Sequence, residues 1–200
     1  MYTRAQKKEK GFTLIELMVS MTIFTVLVTV GIGAVLNATS QYYTASNMRS
    51  IMDNLNFVME DMSRNIRTAT GVHCGGTTGL HLDPATGDFV PASCATTPAN
   101  RIVVAAISGD NITYAITPSS WTAAPNRIFK IVGDTGAEQA ITPSEITIDF
   151  SKSGFTVRGA EASDGLQPMV TIRLSGTIRY KNVDSPFSIQ NSITLRPLDS

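Results

Sequence analysis

The sequence predicts an α+β fold in which a long amino-terminal α-helix, first transmembrane and then amphipathic, packs on an antiparallel β-sheet. Two observations predict the helix. Residues 12–36 are mostly apolar and carry a single charge, and residues 48–66 repeat apolar side chains with a helical period. A third observation predicts the sheet, because short apolar runs alternate with turn residues from residue 101 onwards. The apolar stripe of the helix and one face of the sheet can then bury each other.

The charge of the chain is balanced overall but uneven along its length. The 200 residues carry 16 basic and 16 acidic side chains, while residues 1–11 alone carry four basic side chains and one acidic one. The remainder is therefore mildly acidic, which is not the charge pattern of a nucleic-acid-binding protein. Nucleic acid is not an expected partner, although four cations of the β region give faint support for a local patch: Arg127, Lys130, Arg173 and Arg179.

The segment 12–36 predicts a membrane-spanning helix that follows a basic flank. Its 25 residues would cover about 38 Å at ~1.5 Å per residue, which exceeds the ~30 Å hydrocarbon core. Because basic residues favour the cytoplasmic side, we expect the amino terminus in the cytoplasm and the chain after residue 36 outside it. A secretory signal peptide is a competing interpretation, but its apolar region would span only about 7–15 residues.

Glu16 is the one charged residue of this segment. A plain single-pass anchor would leave it unexplained, since a lone charge costs about 2.5–3.5 kcal/mol at the bilayer centre and less near the edge. The stretch GFTLIEL at residues 11–17, preceded by lysines, resembles the processing motif of type IV prepilins and type II secretion pseudopilins.

This resemblance implies a pilin-like fold and a defined processing path. A prepilin peptidase would cleave after Gly11, and a methyltransferase would N-methylate the new amino terminus on Phe12. Residues 1–11 would be a basic leader that is removed, and residues 12–36 would serve first as membrane anchor and then as filament core. The small side chain of Gly11 would let an extended backbone enter a protease cleft.

The resemblance also gives Glu16 a role in subunit assembly. Glu16 lies four residues after the amine that cleavage would create, on the same face of a helix. A carboxylate in the first turn is favoured by the helix dipole, and in a low-dielectric setting it attracts an amine strongly. Two pairings stay open: the amine of its own chain, or that of a neighbouring subunit, as the family's usual account has it. We hypothesise the second.

The implied function is that of a structural subunit of a type IV pilus or a type II secretion pseudopilus. We expect a minor subunit that helps to initiate or cap the filament, because four segments resemble J-type pseudopilins or W-type minor pilins: NITYAI, ITPSEITIDF, QPMVTIRL and FSIQNSITLRP. A major pilin and a pilus-borne adhesin or DNA-uptake subunit are the alternatives.

The expected partners are other pilins or pseudopilins, the prepilin peptidase and methyltransferase, and a membrane assembly platform. The expected location is the bacterial cytoplasmic membrane, and later a periplasmic or extracellular filament.

Residues 37–70 predict an amphipathic continuation of the helix that ends near residues 69–71, with Gly71 as a plausible cap. Its apolar stripe consists of Met48, Met52, Leu55, Met59, Met62 and Ile66, flanked by Ile51 and Val58. The stripe has two interpretations. It packs against the sheet of its own domain, or it forms a methionine-rich surface that binds another protein. The first is the simpler.

Residues 71–100 predict a loop rich in glycine and proline that holds both cysteines. Since this part of the chain is expected outside the cytoplasm, Cys74 and Cys94 predict a disulfide. A metal site formed by these cysteines with His73 and His81 matches no zinc-binding pattern, so we expect no metal and no cofactor.

Residues 101–200 predict an antiparallel β domain. A hairpin is expected around residues 108–110, a third strand at 127–132, and a second hairpin around residues 151–154. Two longer runs follow, MVTIRLSGTIRY and FSIQNSITL, with Pro168 and Pro186 at their starts.

Catalytic motifs are not apparent in the sequence. Both histidines lie in the glycine-rich loop, and the sequence GDTGAE at 133–138 lacks the lysine of a phosphate-binding loop and the ligand spacing of a calcium loop. The chain is therefore expected to be a substrate of two enzymes and not an enzyme itself.

Overall fold

The computed structural model describes residues 11–75, 82–116, 126–134, 136–161, 165–181 and 183–196. Within these ranges the chain has the predicted α+β class, with one long helix packed against antiparallel sheets. The elements are α1 (Leu14–Arg67), β1 (Gly71–Cys74), β2 (Arg101–Ala105), β3 (Asn111–Ala115), β4 (Phe129–Val132), β5 (Gln139–Ala140), β6 (Ile146–Ile148), β7 (Gly154–Arg158), β8 (Met169–Tyr180) and β9 (Val183–Thr194). The chain divides into two units, Met1–Ser46 and Asn47–Ser200.

The first unit contains the apolar part of α1. Every residue from Gly11 to Tyr43 is exposed, and the helix is long and apolar enough to cross a membrane. Six of its hydroxyl groups donate to backbone carbonyls of the preceding turn, those of Ser20, Thr22, Thr25, Thr29, Thr39 and Thr44. Because these polar groups are satisfied within the helix, they add little cost to placing it in hydrocarbon.

The second unit contains the amphipathic part of α1 and the strands. The predicted stripe is confirmed, since Leu55, Met62 and Ile66 are fully buried and Ile51, Val58 and Met59 are nearly so. They share one core with inward-facing strand residues such as Val104, Tyr114 and Ile172. The methionines of the stripe that lie deepest are therefore core residues, as in the simpler of the two interpretations.

Two sheets, where one was predicted, surround this core. The first is a five-stranded meander in the order β1-β2-β3-β4-β5. The predicted hairpin at 108–110 is confirmed as the β2–β3 connection, and Gly109 has a φ of 89°, which suits glycine. The second sheet is built on β8, which matches the predicted run MVTIRLSGTIRY from end to end. β9 pairs with β8 along its whole length, and β6 and β7 share the opposite edge.

The predicted hairpin around residues 151–154 is wrong. β6 and β7 do not pair with each other; β6 pairs with residues 176–178 of β8, and β7 with residues 169–173. A strand of 12 residues is long enough to take two short partners end to end, and the turn between them carries the chain from one to the other. Pro186 also differs from its prediction, because it lies inside β9, opposite Thr177. β9 is an edge strand, where proline is tolerated.

The predicted boundary between the helix and the loop also needs correction. The helix ends at Arg67, and Gly71 does not cap it but opens β1, within the predicted loop 71–100. Gly71 is suited to this place because a Cβ atom there would lie 3.0 Å from the ring of Phe89.

The chain from Ala92 to Ala99 joins the two sheets. On one side Cys74 N donates to Ala92 O, at 3.0 Å, and on the other Cys94 N donates to Val157 O, at 2.9 Å. The predicted disulfide is confirmed between Cys74 of β1 and Cys94 of this joining segment, whose Cα atoms are 5.8 Å apart. The disulfide thus fixes the segment that links β1 to β7.

Candidate processing and assembly site

The expected cleavage junction lies just before the helix. Residues 11–13 have no regular secondary structure, and α1 begins at Leu14. Phe12 is 84% exposed, and a Cβ atom on Gly11 would meet nothing within 4 Å. Among the described residues, nothing covers the junction. Residues 1–10 of the expected leader, residues 1–11, lie outside the described residues.

Thr13 caps the helix that follows the junction. Its hydroxyl oxygen Oγ1 accepts a hydrogen bond from the backbone N–H of Glu16, at 3.3 Å. Thr13 and Glu16 have the spacing of a capping box, in which the first residue satisfies a free N–H of the first turn. This role of Thr13 was missed at the level of the sequence, although the Thr-x-x-Glu pattern was there to find it.

Glu16 stands alone as a charge. It lies in the first turn of α1, where its carboxylate is exposed. No cation pairs with it within the described part of the chain, and the next charged residue along the helix is Arg49. The structure therefore places Glu16 beside the junction with its carboxylate available to a positive group from elsewhere. Its role in assembly stays a prediction.

The two cysteines and the two histidines do not come together as a metal site in the described part of the chain. Both thiols are consumed by the disulfide. The His73 side chain is nearly buried, and its Nδ1 lies 2.7 Å from Val90 O. His81 lies outside the described residues, among which no group of three potential metal ligands occurs.

A polar cluster of four side chains connects α1 to the first sheet. Tyr114 donates to Asp61 Oδ2 at 2.9 Å, Lys130 Nζ donates to the same oxygen at 2.8 Å, and Asn65 Nδ2 donates to Tyr114 at 2.7 Å. Burial alone would raise the pKa of Asp61, but the hydrogen bonds from Lys130, Tyr114 and Asn65 outweigh it and lower that pKa. Burial raises the pKa of Tyr114, which stays a neutral donor.

Sequence reasoning missed this cluster. Glu60, the neighbour of Asp61, is exposed, and its carboxylate lies 3.6 Å from the Arg64 guanidinium. Asp61 instead borders the buried stripe, one turn before Asn65. The cluster joins helix to sheet and contains none of the expected processing residues.

The four cations that gave faint support for nucleic acid do not form a patch of free charges. Lys130 pairs with Asp61, and Arg179 pairs with Asp184 at 2.8 Å. Arg127 donates to the backbone carbonyl of Thr142. Only Arg173 is both exposed and without an ion-pair partner among the described residues.

Comparison with known proteins identifies the amino-terminal segment. Residues 6–32 match the family model of the prokaryotic N-terminal methylation motif. Neither the curated proteins nor the solved structures gave a match to the chain. The matched residues include the junction, Glu16 and most of the exposed apolar helix, but they are much less than half of the chain. The chain thus carries a prokaryotic N-terminal methylation motif, which supports a structural protein of the type IV pilin-like class.

Proposed function

We propose that the chain is a structural subunit of a type IV pilus or a type II secretion pseudopilus, cleaved after Gly11 and N-methylated on Phe12. One observation carries this proposal: the methylation motif at residues 6–32 runs into helix α1, whose apolar side chains are all exposed from Leu14 to Leu36. Exposure of such a long apolar surface to water is unfavourable. The segment therefore requires lipid around it before assembly and the helices of other subunits afterwards.

Cleavage links these two settings. The leader carries a net positive charge that holds the segment at the cytoplasmic face. Its removal frees the segment from that face and creates an amine on Phe12. In a filament core, an unpaired carboxylate or an unpaired amine is costly, whereas the pair is much less so. Glu16 therefore binds the amine of a neighbouring subunit and sets the register of the packed helices.

The proposed role is that of a minor subunit that starts or caps the filament, with its second unit outside the cytoplasm. The disulfide supports this location, because disulfides persist in oxidising compartments. The proposed partners are other pilins or pseudopilins, the prepilin peptidase and methyltransferase, and the assembly platform.

Quantification of the subunits in sheared filaments distinguishes a minor from a major subunit. A minor subunit is present in far fewer copies than another pilin of the same filament, and an excess of this chain would contradict the minor role.

The proposal is tested by Glu16→Ala, with Glu60→Ala as the control on the same helix. Glu60 is also an exposed carboxylate, but its partner Arg64 belongs to its own chain. We expect Glu16→Ala to be cleaved and inserted in the membrane yet absent from sheared filaments, and Glu60→Ala to enter filaments normally. Incorporation of both variants at the level of the unmodified chain would contradict the role of Glu16.

A further inference from the structure

A small pocket opens on the outer face of the second sheet. It has a volume of about 250 Å³ and lies where the turn between β6 and β7 meets β8. Pockets for drug-sized ligands usually measure about 300–1,000 Å³, so this one suits a single chemical group. The residues of its lining that bear on its chemistry are Asn100, Phe150, Lys152, Thr156, Thr171 and Arg173.

The position of Arg173 follows from the pairing of the strands. Arg173 lies directly opposite Gly154 on β7, and side chains at opposite positions lie on the same face of a sheet. Pro98 covers Gly154, since a Cβ atom there would lie 2.7 Å from the Pro98 Cβ. Pro98 therefore forms a wall of the pocket beside the Arg173 side chain.

The guanidinium of Arg173 has unused hydrogen-bonding capacity. Its Nε donates to Gln190 Oε1 on β9, at 3.3 Å, which orients the group. No carboxylate pairs with it among the described residues, and those that line the pocket include two cations and no acid. The second cation, Lys152, is 3.3 Å from Asp149, so it already has a carboxylate partner. Arg173 supplies the free positive charge.

Two neutral donors complete the site. The side chains of Thr156 and Asn100 line the pocket, and neither has a hydrogen-bond partner within the described part of the chain. Thr171, opposite Thr156, is already within 3.0 Å of Ser192 Oγ. A bound group would thus meet the two terminal nitrogens of the Arg173 guanidinium, the Thr156 hydroxyl and the Asn100 amide, while the Arg173 Nε stays on Gln190.

We propose that this pocket binds an oxyanion of the phosphate class, held by Arg173 together with Thr156 and Asn100. The planar fork of arginine makes two parallel hydrogen bonds to such a group. The group is either free phosphate or the phosphate of a sugar, because Phe150, 51% exposed at the pocket, offers an apolar face to a sugar ring. This site lies in the second unit, so its occupancy does not depend on cleavage at Gly11 or on filament assembly.

The test is a calorimetric titration of the full chain, purified in detergent, with inorganic phosphate and with glucose 6-phosphate. We expect saturable binding with a millimolar dissociation constant, and a loss of about tenfold in affinity in Arg173→Gln. Arg179→Gln is the matched control. Arg179 is also exposed on β8 and has the same charge, but Asp184 already holds it. This variant should bind as the unmodified chain does.

Phe150→Ala distinguishes the two sources. If the unmodified chain binds glucose 6-phosphate more tightly than inorganic phosphate, and Phe150→Ala removes this difference, the ligand is a phosphorylated sugar. If the unmodified chain binds both probes equally and Phe150→Ala changes neither affinity, the ligand is free phosphate. The inference is overturned if neither probe saturates in the millimolar range, or if Arg179→Gln weakens binding as much as Arg173→Gln. Thermal unfolding of each variant establishes that the fold is retained.

Discussion

The two parts of helix α1 have the same secondary structure and opposite surroundings. Between Phe12 and Leu36 the large apolar side chains are 39–84% exposed. Between Ile51 and Ile66 the side chains of the stripe are 0–8% exposed, apart from the half-buried Met52. The stripe is buried by strands of the same chain. The earlier segment has no such cover among the described residues, so it depends on lipid or on other chains. One helix thus contributes to a folded core at one end and, in the proposed function, to an assembly at the other.

A leucine-to-alanine pair tests this contrast most strongly. Leu55 is fully buried, so Leu55→Ala should lower the free energy of unfolding by about 2–5 kcal/mol. Leu27 is 66% exposed, and Leu27→Ala should leave that free energy within ~0.5 kcal/mol of the unmodified value. Thermal or denaturant unfolding in detergent, followed by a signal from the β strands, measures both. Equal losses in the two variants would contradict the division of the helix.

The disulfide should give the next largest effect on the second unit. Cys74→Ser combined with Cys94→Ser opens a loop with a sequence separation of 20 residues, which should cost about 3 kcal/mol of stability in the chain-entropy model. The first unit should be unaffected, so membrane insertion should persist. Denaturant unfolding with and without a reducing agent provides the measurement. A variant as stable as the oxidised chain would show that the joining segment does not need its covalent link.

Asp61 should make a smaller, pH-dependent contribution to the free energy of unfolding. Its pKa in the folded chain is below the ordinary value of 3.8, so its contribution is complete above that value and is lost as the pH falls through the lower folded-state pKa. Because Asp61 is 44% exposed, we expect at most about 1 kcal/mol. The free energy of unfolding, measured as a function of pH, should therefore fall less steeply at acid pH in Asp61→Asn than in the unmodified chain. Asp53 is exposed on the same helix, and Asp53→Asn should not change this dependence. An unchanged dependence at acid pH in Asp61→Asn would contradict the role of the cluster.

Much of the fold could be predicted from the periodicity of apolar residues and from the expected location of the chain outside the cytoplasm. The stripe of α1 and the full extent of β8 follow from repeats that one stretch of sequence contains, and the disulfide follows from placing Cys74 and Cys94 outside the cytoplasm. Pairing could not be predicted in the same way. β6 and β7 are near in sequence but each pairs with β8, and Asp61 meets Tyr114 and Lys130 from strands 53 and 69 residues away. Such contacts depend on the register between elements, which local patterns do not encode.

More of the amino-terminal site than of the strand pairing could be predicted from the sequence. Its motif is contiguous, so the roles of Gly11, Phe12 and Glu16 could be predicted from the sequence alone, while the cap formed by Thr13 needed the helix start to be known. What the isolated chain does not contain is the positive group that Glu16 is proposed to bind, because cleavage has to create it.

Mass spectrometry of the mature amino terminus tests the central claim most directly. The chain would be expressed in a bacterium that has a prepilin peptidase and recovered from the membrane and from sheared filaments. We predict an amino-terminal peptide that begins with N-methylated Phe12 and lacks residues 1–11. A chain that retains Met1 would contradict the account. So would one that begins at Gln41, because a signal peptidase would cut after the small-residue site Ala38-Thr39-Ser40.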